Sequence, residues 1–412
     1  MKSARSSASA AARLHLPLSG DGLKEPPDGG SVVCTRELAV PAESASLRPL
    51  LVFRMLNARA EVSVDGQPAG VCEFPGGSVD LSNRLPAGKT VRLEVRLSDA
   101  SGASKYGIRG VSGETFLEFV PREGHICDAF VAAVSTEEVK VVAEVSETLR
   151  AQPIRLEAVV SDGVETQRFQ SDSVVAADGR LTCAVCWPGA KTWDTSTPEN
   201  RYTARVSVLG PGGRTIDTFP PVTFGFRTFE VRGRGFALND IPIRLRGFYT
   251  RLLNGSAAEA SPGAIDRTLG RMKRLGGNFL ITGNFGFACG EQRAPDELLD
   301  ACDAAGVLVA YSLPHVKEYP DEGVYRVRTE QAIRLARNHP CVVLYTTSHN
   351  WCGYAGDLNP LKIDGRFDPT DDPRPLPTWT RHRAQAARAE EIIRAIDPTR
   401  PVHHHAGGNI GA

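Results

Sequence analysis

VLVAYSL (307–313) and CVVLYTTS (341–348) are two uncharged runs, and between them VYRVRTEQAIRLARNH (324–339) carries apolar residues at helical spacing. A strand with one wet face alternates apolar and polar residues, whereas a strand that is apolar throughout is covered on both faces. A helix between two such strands supplies cover, and a helical crossover joins strands that run parallel. The pattern extends outward from this unit. Upstream, IPIRLRG (241–247) reads as a buried strand and PGAIDRTLGRMKRLG (262–276) as a helix ending on Gly. NFLIT (278–282) reads as a strand, and APDELLDACDAAG (294–306) as a helix that starts near Pro295 and stops on Gly306, as helices prefer. Downstream come a helix in TWTRHRAQAARAEEIIRAI (378–396) and a fifth strand in VHHHA (402–406).

Five strands and four helices in alternation predict a parallel sheet with helices on its faces. A (β/α)₈ barrel needs eight of each in about 250 residues. Fewer residues follow Phe229, and GGNIGA comes directly after strand five. The expected architecture is therefore the first part of a barrel. An open doubly wound sheet is the alternative, but it calls for a Gly-rich phosphate turn after the first strand, where RGFYTRLLNGS stands.

Before Phe229 the period is different. From Val32 to Val208 short alternating runs such as ARAEVSVDGQPAGV, TVRLEVRLSD, KVVAEVSE, IRLEAVVSD and YTARVSV are broken by Gly, Pro, Asn and Asp. This is the pattern of β-sandwiches. The 40 Gly and 28 Pro supply the turns such domains need. Asp65-Gly66 is a hairpin signal, since Asp-Gly tolerates the positive φ of a type I′ turn. PREGHI (121–126) separates two groups of strands and marks a domain junction. The expected order is a disordered leader over 1–25, one sandwich over 26–124, a second over 125–228 and barrel sequence over 229–412.

Composition narrows the function. Lys+Arg and Asp+Glu total 48 each, so there is no basic excess to hold phosphates and no nucleic acid is expected as partner. No run reaches the ~18 apolar residues of a membrane span. Arg13 and His15 interrupt what would be the apolar core of a signal peptide, which predicts a cytoplasmic protein. Cys183 and Cys186 form a C-x-x-C, but inside the alternating run LTCAVCWPG with no second pair, so they read as strand residues in a reducing compartment.

Several stretches, taken in order, resemble family 2 glycoside hydrolases, the β-galactosidase, β-glucuronidase and β-mannosidase group. EVSVDGQPAGVCEFPGGSVDLSNRL and GIRGVSGETFLEFVP are similar to motifs of that group's jelly-roll, sugar-binding-like domain. WPGAKTWDTSTPENRYTARVSV resembles a segment of its immunoglobulin-like domain. FGFRTFEVRGRGFALNDIPIRLRG (224–247) resembles the signature leading into its TIM barrel, and LLDACDAAGVLV and NHPCVVLYTTSHN resemble barrel motifs. The resemblance implies a glycosidase acting on β-linked glycosides of oligo- or polysaccharides; no cofactor and no metal are expected.

Retaining glycosidases place two carboxylates about 5–5.5 Å apart, one as acid and one as nucleophile. In the resembled family the acid/base is the Glu ending strand four, in "G-N-E". Here Ser348-His349-Asn350 stands there, and a neutral amide does not deliver a proton. The family's second carboxylate belongs to strand seven. After strand two, Ile281 occupies the place of an Arg that braces the nucleophile. The polar stretch HNWCGYAGDLNPLKIDGRFD follows strand four, and Asp357 is its carboxylate nearest the lost Glu. The candidate catalytic residues are Asp357, His349 and Asn350. Trp351 and Tyr354 on the same loop, with Arg246, Asn284, His315 and His404 at other strand ends, are the candidate substrate-binding residues. Asp357 as loop organiser, and His349 and Trp351 as structural residues, remain open. Adjacent strand residues point to opposite sides, so only one of His403 and His404 faces the barrel interior. IDGRFDPTDDP (363–373) is acidic but lacks the spacing of a calcium loop. The alternative reading is a non-catalytic carbohydrate-binding protein. Should the chain end at Ala412, five barrel strands would leave two unpaired edges, so a homo-oligomer stays open.

Overall fold

The structure is a computed structural model that describes residues 12–15, 31–98, 110–174, 178–250, 252–253, 261–283, 289–315, 321–347 and 376–404. The chain divides into two compact units, residues 1–193 with 199–227 and residues 194–198 with 228–412.

The first unit holds two sandwiches with separate cores. In the first, Val32–Ala39, Thr90–Ser98, Arg59–Val64 and Gln67–Glu73 form one antiparallel sheet, and Ala12–His15, Thr115–Pro121, Leu47–Phe53 and Gly77–Asp80 form the other. Thr90–Ser98 buries every second residue, so Val91, Leu93, Val95 and Leu97 meet Leu51, Phe53, Leu117 and Phe119 in one cluster. The Asp65-Gly66 turn has φ of 49° and 75° at its two residues, the geometry of the type I′ hairpin read from the sequence.

In the second sandwich a three-stranded sheet, Ile126–Ala133, Glu138–Val145 and Arg180–Cys186, lies over a four-stranded one, Thr166–Gln170, Arg155–Ser161, Tyr202–Leu209 and Thr215–Phe224. Tyr202 sits among Trp187, Phe224 and Phe226, and its hydroxyl accepts the Lys191 amide at 2.9 Å, satisfying the polar end of a buried ring. The turn between the sandwiches is held from the second one. Asp217 accepts the Ile126 amide at 2.8 Å, and Arg214 pairs with both oxygens of Glu123 at 2.6 and 2.7 Å.

The second unit opens with an antiparallel ribbon, Phe229–Arg232, Gly235–Leu238 and Ile241–Ile243. Asn239 and Asp240, with φ of 51° and 66°, make its second turn. A five-stranded parallel sheet follows: β1 (Gly247–Tyr249), β2 (Phe279–Ile281), β3 (Leu308–Ser312), β4 (Val342–Thr347) and β5 (Val402–His404). Helices α1 (Pro262–Arg274), α2 (Asp296–Ala305), α3 (Glu322–Ala336) and α4 (Leu376–Ile396) alternate with the strands. All of β3 and β4 is buried, as their uncharged and largely apolar sequences require.

IPIRLRG is not one buried strand. Its first half belongs to the ribbon and only Gly247 belongs to the sheet, and Ile241 and Tyr249 are 67% and 51% exposed. The reason is local: the Asn239-Asp240 turn folds Ile241–Ile243 back on Gly235–Leu238, so the chain must leave the ribbon before it can join the sheet.

The strand order is 1-2-3-4-5 with no reversal. A doubly wound sheet has a switch point where the order reverses, whereas a singly wound one lays each strand beside the last and curls into a barrel. The five strands are therefore an arc of an α/β barrel. Helix ends follow the sequence signals. Asp321 caps α3 by accepting the Val324 amide at 2.9 Å. Gly306 ends α2 at φ 66°, where a Cβ would lie 2.6 Å from the Thr195 carbonyl oxygen. Among the described residues no helix is long and apolar enough to cross a membrane.

Candidate active site at the strand ends

In a singly wound parallel barrel the loops at the C-terminal strand ends form the site. Here those ends carry Thr250, Thr282, Ser312, Thr346, Thr347 and His404, and hydrogen bonds lock several together. The Ser312 amide donates to the Thr282 hydroxyl at 2.9 Å, and the Ser312 hydroxyl donates to the Gly283 carbonyl at 2.7 Å. Nδ1 of His404 lies 2.8 Å from the Thr347 hydroxyl, and its Nε2 lies 3.0 Å from the Glu390 carboxylate on α4. A nitrogen facing a carboxylate carries the proton, so in the neutral ring Nδ1 accepts from Thr347. Burial pushes the Glu390 carboxyl up, but hydrogen bonds and charge from His404 and Arg394 outweigh this and hold it below the usual carboxylate range.

These bonds assign the two faces of the sheet. Thr347 and His404 reach α4, and Tyr345 donates to Asp397 beyond the end of α4 at 2.7 Å. Alternation then turns Thr346 and His403 to the opposite, concave face. The sequence pattern makes His404 substrate-binding; the structure instead packs it against the helix layer, and His403, exposed, is the one of the pair that alternation sends to the concave face. The signal that distinguishes them is the polar partner set Thr347 and Glu390, which a single sequence does not pair.

Arg246 is displaced further. It precedes β1, and its amide donates to the Asn278 side chain at 2.8 Å while the Asn278 amide donates back to its carbonyl at 3.2 Å. Asn278 precedes β2, so both stand at the N-terminal edge, opposite the expected site. Arg246 falls there because the barrel strand begins only at Gly247. His315, three residues past the end of β3, is buried at the C-terminal edge. Asn284, His349, Asn350, Trp351, Tyr354 and Asp357 lie outside the described residues, as does 363–373.

Cys183 and Cys186 share the strand Arg180–Cys186, one buried and the other exposed, so their sulfurs do not converge on an ion. Burial pushes the Cys183 thiol up to about 11. Asp300, Asp303 and His339 bring ligand atoms within 4.8 Å of one another at the N-terminal side of β4. Asp303 is already committed: one oxygen lies 2.7 Å from Nδ1 of His339 and the other accepts the Cys341 amide at 2.9 Å. Burial pushes His339 down, but Asp303, Asp300 and Asp296 outweigh it and hold the imidazole above its ordinary value. The cluster is an ion pair that ties α2 to the start of β4.

No protein-family profile matches the chain, and no curated protein does. Solved structures do. A glycosyl hydrolase family 2 member from Bacteroides cellulosilyticus superposes with a TM-score of 0.67 at 18% identity, covering 92% of this chain and 48% of that one. A β-glucuronidase from Bacteroides uniformis gives 0.65 at 20% identity, over 91% and 46%. A β-glucuronidase from Ruminococcus gnavus in complex with D-glucuronic acid gives 0.63 at 17% identity, over 91% and 63%. The chain thus spans about half the length of the first of these structures. Two β-sandwiches followed by a singly wound α/β sheet are common ground with them, and the chain has the fold of family 2 glycoside hydrolases.

Proposed function

We propose that this chain is part of a glycosidase that cleaves β-linked glycosides of oligo- or polysaccharides at the C-terminal edge of its parallel sheet. The observation that carries the reading is the 1-2-3-4-5 strand order, which gathers the ends of β1 to β5 around one concave edge. Hydroxyls and imidazoles stand at that edge, and the polar sequence 348–359 leaves it directly after β4. Pyranosides are bound by such groups, with aromatic residues such as Trp351 and Tyr354 stacking on the apolar ring face. In this reading Asp357 is the acid that protonates the leaving oxygen, His349 and Asn350 bind the sugar beside it, and a second carboxylate attacks the anomeric carbon or activates water.

The test is hydrolysis of a panel of 4-nitrophenyl β-glycosides by the product of the full reading frame. The β-glucuronide comes first, because structures with this fold include β-glucuronidases. Hydrolysis of the matching alkyl β-glycoside, whose leaving oxygen needs a proton, that falls at least about a hundredfold in Asp357→Asn, the lower range for a lost general acid, supports the assignment. A second reading is favoured by one residue: Asn350 stands where the resembled family has its acid. It makes the protein a carbohydrate binder, and saturable glycan binding with no release across the panel would select it.

A further inference from the structure

We propose that Thr346 is a specificity residue of the strand-end site, whose hydroxyl bonds one hydroxyl of the bound sugar. The inference rests on the reading of that edge as a sugar site. Among the described hydroxyl side chains at or just past the ends of β1 to β4, all but one are committed within the fold. The Thr250 hydroxyl accepts the Leu252 amide at 3.2 Å, and the Thr282 hydroxyl accepts the Ser312 amide at 2.9 Å. The Ser312 hydroxyl donates to the Gly283 carbonyl at 2.7 Å, and the Thr347 hydroxyl lies 2.8 Å from Nδ1 of His404. Thr346 differs. It is 1% exposed, and its hydroxyl has no hydrogen-bond partner. A buried hydroxyl gives up its bonds to water, and native folds replace them with a protein partner. Where the fold provides none, a ligand can supply the missing bond.

The direction of the side chain is set by its neighbours. Tyr345 donates to Asp397 and Thr347 meets His404, both on the helix side, so Thr346 between them faces the concave side. In register it lies between Ser312 of β3 and His403 of β5. The Ser312 hydroxyl is taken by Gly283, and His403 is exposed, so this row opens to solvent on the β5 side. A sugar seated over His403 brings a hydroxyl to Thr346. Both hydroxyls donate and accept, so either supplies the hydrogen of the bond.

Stability separates this assignment from a structural role by its sign. Thr346→Val keeps the β-branched shape and removes only the polar atom. A hydroxyl that held the fold would leave the variant less stable. One left unbonded costs stability, so its removal is expected to leave the melting temperature unchanged or higher.

Calorimetric titration uses the methyl 1-thio-β-glycosides of glucose, galactose, mannose and glucuronic acid, whose sulfur linkage resists hydrolysis. The monodeoxy analogues of whichever sugar binds come next. Thr346→Val is expected to bind that sugar about tenfold more weakly than the wild type, the scale of one hydrogen bond, and Thr346→Ser to bind within about threefold. One monodeoxy analogue is expected to lose about tenfold with the wild type and nothing further with Thr346→Val, the coupling of a direct contact. Equal binding by wild type and Thr346→Val overturns the inference and leaves the sugar reading standing. So does a loss in Thr346→Val that is the same for every analogue. A melting temperature lower by more than about 3 °C, or a variant that does not fold, overturns it too, since the hydroxyl is then structural. A wild type that binds none of the panel overturns the sugar reading and this inference with it.

Discussion

His404 bridges two elements: its Nε2 lies 3.0 Å from the Glu390 carboxylate on α4, and its Nδ1 lies 2.8 Å from the Thr347 hydroxyl at the end of β4. The bridge ties β5, β4 and α4 together at the edge where the site is proposed. It also fixes which side of β5 each histidine takes.

A double-mutant cycle measures that bridge. Glu390→Gln and His404→Gln should each cost about 1 kcal/mol in urea denaturation, the scale of a charged hydrogen bond at a partly exposed site, with a coupling of at least about 0.5 kcal/mol. The sign of the pH dependence follows from Glu390. Its folded pKa is lowered, so its contribution is present above the unfolded carboxylate pKa and is lost as pH falls through the folded value. The gap between wild type and Glu390→Gln should hold above about pH 5 and close in acid. A gap that widens in acid would count against the assignment.

Arg400 is a heavily committed cation of the second unit. It is 5% exposed, pairs with Asp397 at 2.7 Å, and donates to the carbonyls of Val342 at 2.8 Å and Arg337 at 2.6 Å. Burial pushes Asp397 up, but Arg400, with Thr399 and Tyr345, brings it down to about 2. Arg400→Met strands a buried carboxylate and two carbonyls, so it should lose about 3–5 kcal/mol. Calorimetry checks this, and a change under about 1 kcal/mol would contradict the network.

Asp217 has the opposite sign. Burial raises its carboxyl to about 6 although it accepts the amides of Ile126 and Thr218. The folded state therefore holds the proton more tightly than the unfolded state. Stability contributed by this group falls as pH rises from about 4 to about 6, by about 3 kcal/mol at most. Asp217→Asn should flatten that slope in denaturation curves collected across this range. An unchanged slope would show that another group carries it.

Gly306→Ala tests a backbone requirement. The residue lies at φ 66°, and a Cβ would meet the Thr195 carbonyl oxygen at 2.6 Å, so strain and clash add. A loss above about 1 kcal/mol is expected. Gly276 is the comparison: it has φ 80°, but a Cβ added there would meet nothing within 4 Å, and its Ala variant should lose less.

The parallel sheet is legible in the sequence because β3 and β4 carry no charge and are apolar up to the hydroxyl residues at their C-terminal ends, a pattern that needs cover on both faces. Helix limits fall within a few residues of their signals, since Gly306 and Pro262 are chemical stop and start marks. The first barrel strand is harder. Asn239-Asp240 makes a tight turn without the Gly that advertises one, so the ribbon and β1 read as one strand and Arg246 is assigned to the wrong edge. Alternation shows that His403 and His404 must part. Which one faces α4 depends on Glu390, fourteen residues away on a helix.

The most direct test of the proposed site is sugar binding by two tryptophan variants at opposite edges of the sheet, followed by calorimetric titration with the sugar of whichever glycoside the protein accepts. His403→Trp fills the concave edge and Arg246→Trp the N-terminal edge, both at exposed positions. The account predicts that His403→Trp weakens binding at least about tenfold, a loss of roughly 1.4 kcal/mol, while Arg246→Trp binds as the wild type does. Binding that survives His403→Trp and fails in Arg246→Trp would contradict it.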